Sequence, residues 1–92
     1  MTEKRLIETK GRQLFDSFLR EQGITQASAA KALGVSEVTV LHWRTGEKRP
    51  VDHQRAKIEI WTGGAISAAT WRTDEERGEI DRIQPLQTTG AA

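Results

Sequence analysis

Between Ile24 and Gly46 the chain sets out two short runs of helix-forming residues, each opened by a hydroxyl side chain and closed by a glycine. Thr25 precedes Gln26–Leu33 and Gly34 follows it; Ser36 precedes Glu37–Thr45 and Gly46 follows it. A threonine or serine at this position accepts a hydrogen bond from the free N–H groups of a helix's first turn. Glycine takes the positive φ with which many helices end. The spacing therefore predicts two helices, over about 26–33 and 37–45, joined by a turn so short that they must cross closely. Ala29, Ala30 and Leu33 share one face of the first. Ala30 is small where the second helix has to approach. Leu33, Val35, Val40 and Trp43 fill the wedge, and the inward register of Trp43 makes it a packing residue.

The rest of the chain reads as further short helices. Thr9 caps a helix over about 10–22, with Leu14, Phe15, Phe18 and Leu19 at three- and four-residue spacing and Gly23 as its stop. Asp52 is the expected cap of a fourth helix over 53–61, ended by Gly63-Gly64. That double glycine lacks the Lys-Ser/Thr of a phosphate loop and reads as a tight turn. One more turn is expected over 68–71. Thr73 and Glu76 have capping-box spacing and open a last helix to about Ile83, weakened by Gly78 and limited by Pro85. There is no repeat and no convincing strand alternation, although Ala65-Ile66-Ser67 suits a short extended piece. The expected class is all-α, with four to five short helices and an extra C-terminal helix. Trp61, Ile66, Trp71, Ile80 and Ile83 exceed what a four-helix core needs. They either complete the core or form a contact between copies, and the second reading is favoured for some of them.

Charge is distributed unevenly. The net charge is only +1, but residues 24–57 carry +3 and residues 58–92 carry −3. Nucleic-acid binding needs a local positive face, because charges more than about 10 Å apart are screened. The middle segment has one. With 92 residues, 36% apolar and 29% charged, the chain suits one folded domain with a limited core. Apolar runs never exceed two or three residues, so no membrane span is expected. Charges flank Leu6-Ile7, and no signal-peptide core is expected there. The absence of cysteine excludes disulfides and thiol chemistry and agrees with a reducing cytoplasm. His42 and His53, without cysteines or a carboxylate cluster, are not expected to bind metal. No nucleophile–base pair or phosphate loop is visible, so neither an enzyme nor a cofactor is expected.

Gln26, Ala30, Leu33-Gly34-Val35-Ser36, Val40, Trp43 and Gly46 together resemble the Cro/C1-type helix-turn-helix of phage and bacterial repressors. Arg49-Pro50 and Thr62-Gly63-Gly64-Ala65-Ile66 extend the likeness toward small YdaS-like prophage regulators; nothing matches beyond Trp71. The resemblance implies a lambda-repressor-like helix-turn-helix domain over 9–72. Residues 1–8 form either an N-terminal arm or an extra turn before it, and an acidic extension, 73–92, suited to dimerisation or partner binding, follows with a disordered tail from Gln84. It implies that the helix from Glu37 enters the major groove of double-stranded DNA. Ser36, Glu37, Val38, Thr39 and His42 would then meet base edges, with Thr39 also within reach of a phosphate. Gln26, Arg44, Thr45, Lys48 and Arg49 would hold the phosphates.

The chemistry of these residues leaves some alternatives open. Glu37 can accept from a cytosine amino group, or merely settle the helix N-terminus. Val38 can pack on a thymine methyl, and His42 can donate to guanine or accept from adenine. Lys48 and Arg49 form either a phosphate clamp or a solvated loop, the first being favoured. Leu41 either touches thymine methyls or packs on this chain. The implied function is a sequence-specific transcriptional regulator, a cytoplasmic homodimeric repressor on a palindromic operator, bacterial or phage-encoded. The alternative is an antitoxin or adaptor that binds a protein partner through its C-terminal region.

Overall fold

Thr9 starts the first helix as its residue type suggests: its hydroxyl accepts from the Arg12 N–H at 3.1 Å. In the computed structural model, which describes residues 6–86, the elements are α1 (Lys10–Glu21), α2 (Gln26–Leu33), α3 (Glu37–Thr45), α4 (Asp52–Trp61), a 3-10 turn (Ala68–Trp71) and α5 (Asp74–Asp81). The fold is all-helical, with no strand among the described residues. None of these helices is long and apolar enough to cross a membrane.

The core forms where α1 lies across the α2–α3 pair. Phe15 of α1 stands between two indoles, with ring centroids 6.1 Å from Trp43 and 5.8 Å from Trp71. Leu19, Ala29, Ala30, Leu33, Val40, Ile58 and Ile66 complete the buried cluster. Each large apolar side chain taken out of water contributes about 1.5–3 kcal/mol, so a few aromatic rings supply much of what holds so small a domain together. Phe18 and Trp61 make a second ring contact, 5.9 Å apart, at the edge of the cluster.

Of the surplus apolar residues, Ile66 and Trp71 belong to the core and Trp61 packs against it half-buried. Ile80 and Ile83 remain exposed. Trp71 reaches the core because α1 has Gly11 beneath it: a Cβ there would lie 2.6 Å from the indole ring. The Trp71 Nε1–H is buried with no hydrogen-bond partner. Ring volume, not hydrogen bonding, therefore accounts for tryptophan at this site.

The fourth helix begins one residue earlier than expected. Val51 holds the cap position, its N–H donates to Gln54 Oε1 at 3.2 Å, and Asp52 is the first helical residue. There its charge still lies in the first turn, at the positive end of the helix. The double glycine is a turn, with φ of 66° and 87°. Buried Thr62 secures it by donating to the Ile58 carbonyl at 2.7 Å and accepting from the Ile66 N–H at 3.3 Å.

At the C-terminal end the Thr73–Glu76 capping box forms in both directions, at 2.8 and 3.2 Å. α5 buries no residue and stops at Asp81, short of Ile83. A helix without a buried face has little to extend it past its propensity. The expected arm at 1–8 and the tail from Gln84 lie partly outside the described residues. Within them, Ile7 is tied down, its N–H donating to the Gly46 carbonyl at 2.6 Å.

Candidate nucleic-acid interface

Two caps and two glycines fix the α2–α3 pair. Thr25 accepts from the Ser28 N–H and Ser36 from the Thr39 N–H, both at 3.1 Å. Gly34 closes α2 at φ 70° and Gly46 closes α3 at φ 90°. Positive φ is strained for any residue with a Cβ. At Gly46 a Cβ would also collide with the Ile7 carbonyl oxygen at 2.6 Å. The helix ends are thus set by local chemistry, and Ala29, Ala30, Leu33, Val40 and Trp43 bury the faces between them.

Burial of Val40 and Trp43 on one side of α3 leaves the opposite side to solvent. Ser36, Glu37, Val38, Leu41 and Thr45 are exposed there, and Thr39 and His42 are half-buried at its margins. Two of these are large and apolar, Val38 at 59% and Leu41 at 42% exposure. Leu41 thus joins the face on which Glu37 and Val38 were expected, although the sequence left its place open. The helical repeat, which sets Leu41 three residues after Val38 and four after Glu37, is the signal that places it.

Several of the expected contact residues are already engaged. Ser36 and Thr39 share a hydroxyl hydrogen bond of 2.8 Å, which removes one donor from the groove-facing set. His42 Nε2 lies 2.9 Å from Glu47 Oε2. That contact orients the ring and leaves Nδ1 as its other polar atom. Thr45 turns its hydroxyl to the His42 carbonyl at 3.4 Å, a long hydrogen bond.

Arg44 is the centre of a network that no local pattern displays. Its Nε donates to Asp16 Oδ1 at 2.7 Å, and its Nη1 donates to Gln26 Oε1 at 3.0 Å. Asp16 also holds Arg20 at 3.1 Å, and Arg12 Nη1 donates to the Arg44 carbonyl at 2.9 Å. The structure thus brings Gln26 and Arg44 together with two further arginines of α1. They line a cleft of about 450 Å³ beside Leu41 and Thr45. Arg44 fixes the Gln26 oxygen, so the amide's Nε2 donors are the part left for an outside acceptor. Arg12, Asp16 and Arg20 are the residues that the sequence reading missed here. Arg20 was legible as an exposed cation in the last turn of α1, but Arg44, which shares Asp16 with it, lies on α3, with α2 between them in the chain.

Beyond α3, Lys48 is exposed and forms no ion pair among the described residues. Arg49, expected beside it on a phosphate, is turned to the C-terminal segment. Its Nη1 bonds the Glu76 carboxylate and the Trp71 carbonyl, the latter at 3.2 Å. The Thr73 N–H, and then Arg49, hold the Glu76 carboxyl well below its ordinary value, at about 2. Arg55 donates to the Pro50 carbonyl at 2.7 Å. Burial, and then the Arg49 charge, push its pKa downward.

No group of three or more His, Cys, Asp or Glu side chains among the described residues could hold a metal ion. Comparison with models of protein families, with curated proteins and with solved structures returns no match.

Proposed function

We propose that this chain is a sequence-specific, double-stranded DNA-binding transcriptional regulator of lambda-repressor-like, Cro/C1-type build, acting as a homodimeric repressor. The observation that carries the reading is the solvent face of α3. A short, doubly capped helix presents Glu37, Val38 and Leu41 outward with His42 at the margin, flanked by the N-terminus of α2 and by Lys48. An α-helix, about 10–12 Å across with its side chains, fits the major groove, which is about 12 Å wide. Val38 and Leu41 suit thymine methyl groups, and Glu37 suits a cytosine amino group. Gln26 stands at a helix start, where backbone N–H groups and a side-chain amide can grip one phosphate. Lys48 and Thr45 flank the groove at the other end. In this reading Arg44 acts by holding Gln26 in place, and Arg49 acts on the domain's own C-terminal segment. No catalytic role is proposed.

The test is selection of bound duplexes from a random pool, followed by footprinting. A discrete protected sequence is expected, with binding that weakens as salt rises. Equal enrichment of all sequences with no footprint would contradict the reading. The second reading, a module that binds a protein through its C-terminal region, is favoured by one observation: Ile80, Ile83 and Leu86 are exposed in succession on an acidic segment.

A further inference from the structure

On the side of α2 and α4, Lys31, Ala32 and Leu33 face Lys57, Ile60 and Trp61 across a groove of about 460 Å³. Ile60 is 80% exposed, the highest value for a helical isoleucine here, and Trp61 is half-buried against Phe18. The only charged residues lining the groove are the two lysines, and neither forms an ion pair among the described residues. The groove is thus apolar at its floor and positive at its rim.

The C-terminal segment has the complementary character. Ile80, Ile83 and Leu86 are 42%, 72% and 90% exposed. Around them Glu75, Glu79 and Asp81 make no ion pair among the described residues, whereas Asp74 pairs with Arg77 and Glu76 with Arg49. Within a single chain this segment does not fill the groove. Glu76 holds the start of α5 to Arg49, while Ile80 and Ile83 face solvent.

We infer that the groove of one copy receives the Ile80–Leu86 edge of a second copy, with Lys31 and Lys57 against Glu79 and Asp81. Each chain carries both surfaces, so the exchange can be reciprocal and close as a two-fold dimer. This places four exposed apolar side chains per copy out of water. It also explains why the molecule carries opposite charge in its middle and C-terminal thirds. The inference rests on the homodimer part of the proposed function and names its surface. It is tested without DNA, so that its outcome is separate from the DNA reading.

The experiment is sedimentation equilibrium of the full chain, with helical circular dichroism to confirm folding. Ile60, Lys31, Lys57, Glu79 and Asp81 lie at the surface or rim, so their substitution leaves the core intact. The wild type is expected to dimerise, more weakly at high salt. Ile60→Asp is expected to be monomeric over the same concentrations. The paired change Lys31→Glu with Lys57→Glu should weaken dimerisation by about tenfold or more, as should Glu79→Lys with Asp81→Lys. The chain carrying all four charge reversals should regain it. A wild type that stays monomeric overturns both the dimer and this surface. A wild-type dimer that survives Ile60→Asp, or a fourfold variant no stronger than either pair alone, overturns this surface and leaves the dimer standing. Binding of a different protein to the groove with no self-association would assign the surface to that protein instead.

Discussion

The α2–α3 pair and the α5 segment are both short helices with hydroxyl caps, yet they are held in different ways. The first buries five side chains, Ala29, Ala30, Leu33, Val40 and Trp43, and each of its two helices ends at a positive-φ glycine. The second buries none and is attached through the Thr73–Glu76 capping box and the Glu76–Arg49 ion pair. Packing fixes a helix against the whole domain, whereas a surface ion pair contributes only about 0.2–1 kcal/mol and a helix cap about 0.5–2 kcal/mol. A helix that must present a rigid face to a groove needs the first kind of support. A segment that offers its far edge to a partner can use the second.

Substitution at the packed end is the strongest way to break this contrast. Trp43→Ala removes the ring that meets Phe15, and a loss of about 3–5 kcal/mol is expected by denaturant titration. α1 and α3 should be lost in one transition. If α3 alone melted, the shared-core account would fail. Gly46→Ala comes next. Its backbone sits at φ 90° and its Cβ would meet the Ile7 carbonyl, so about 1–3 kcal/mol is expected. Melting-temperature measurement on that variant checks it, and a neutral result would deny that the α3 terminus is held by Ile7.

Substitution at the latched end should act locally. Glu76→Gln is expected to cost less than about 1 kcal/mol globally while α5 loses its helical 13Cα shifts and Val40–Trp43 keep theirs. The same residue makes the latch sensitive to acid. Its folded pKa, about 2, lies below the ordinary 4.5, so its contribution is complete above pH 4.5 and is lost as pH falls toward 2. The α5 shifts should change across that window before the core does. Lys48→Ala should have the smallest effect, lowering the slope of DNA affinity against salt by about one ion without altering stability.

Much of the packed region was legible because its determinants are local. Thr25, Gly34, Ser36 and Gly46 lie next to the helix ends they fix, and helical periodicity alone turns Val40 and Trp43 inward and Val38 outward. What escaped depends on chain segments that meet only after folding. The Arg44 partner Asp16 is 28 residues away, and the Arg49 partner Glu76 is 27 residues away. A basic loop after a helix reads as a phosphate clamp until the acid opposite it is in view. Trp71 has no apolar periodicity around it, so its place in the core becomes clear only with Gly11 beneath its ring. Asp52 has the residue type of a cap, whereas the backbone turns at Val51 and the Gln54 side chain closes that end.

The central claim is that the solvent face of α3 is where DNA docks. Amide chemical-shift mapping of the 15N-labelled chain, titrated with a short duplex at low salt, tests it directly. The account expects the largest shifts at Ser36–His42, with a second group at Gln26 and Lys48 and almost none across α5. Shifts concentrated on α5 or on the Lys31–Ile60 groove, with α3 unmoved, would contradict it.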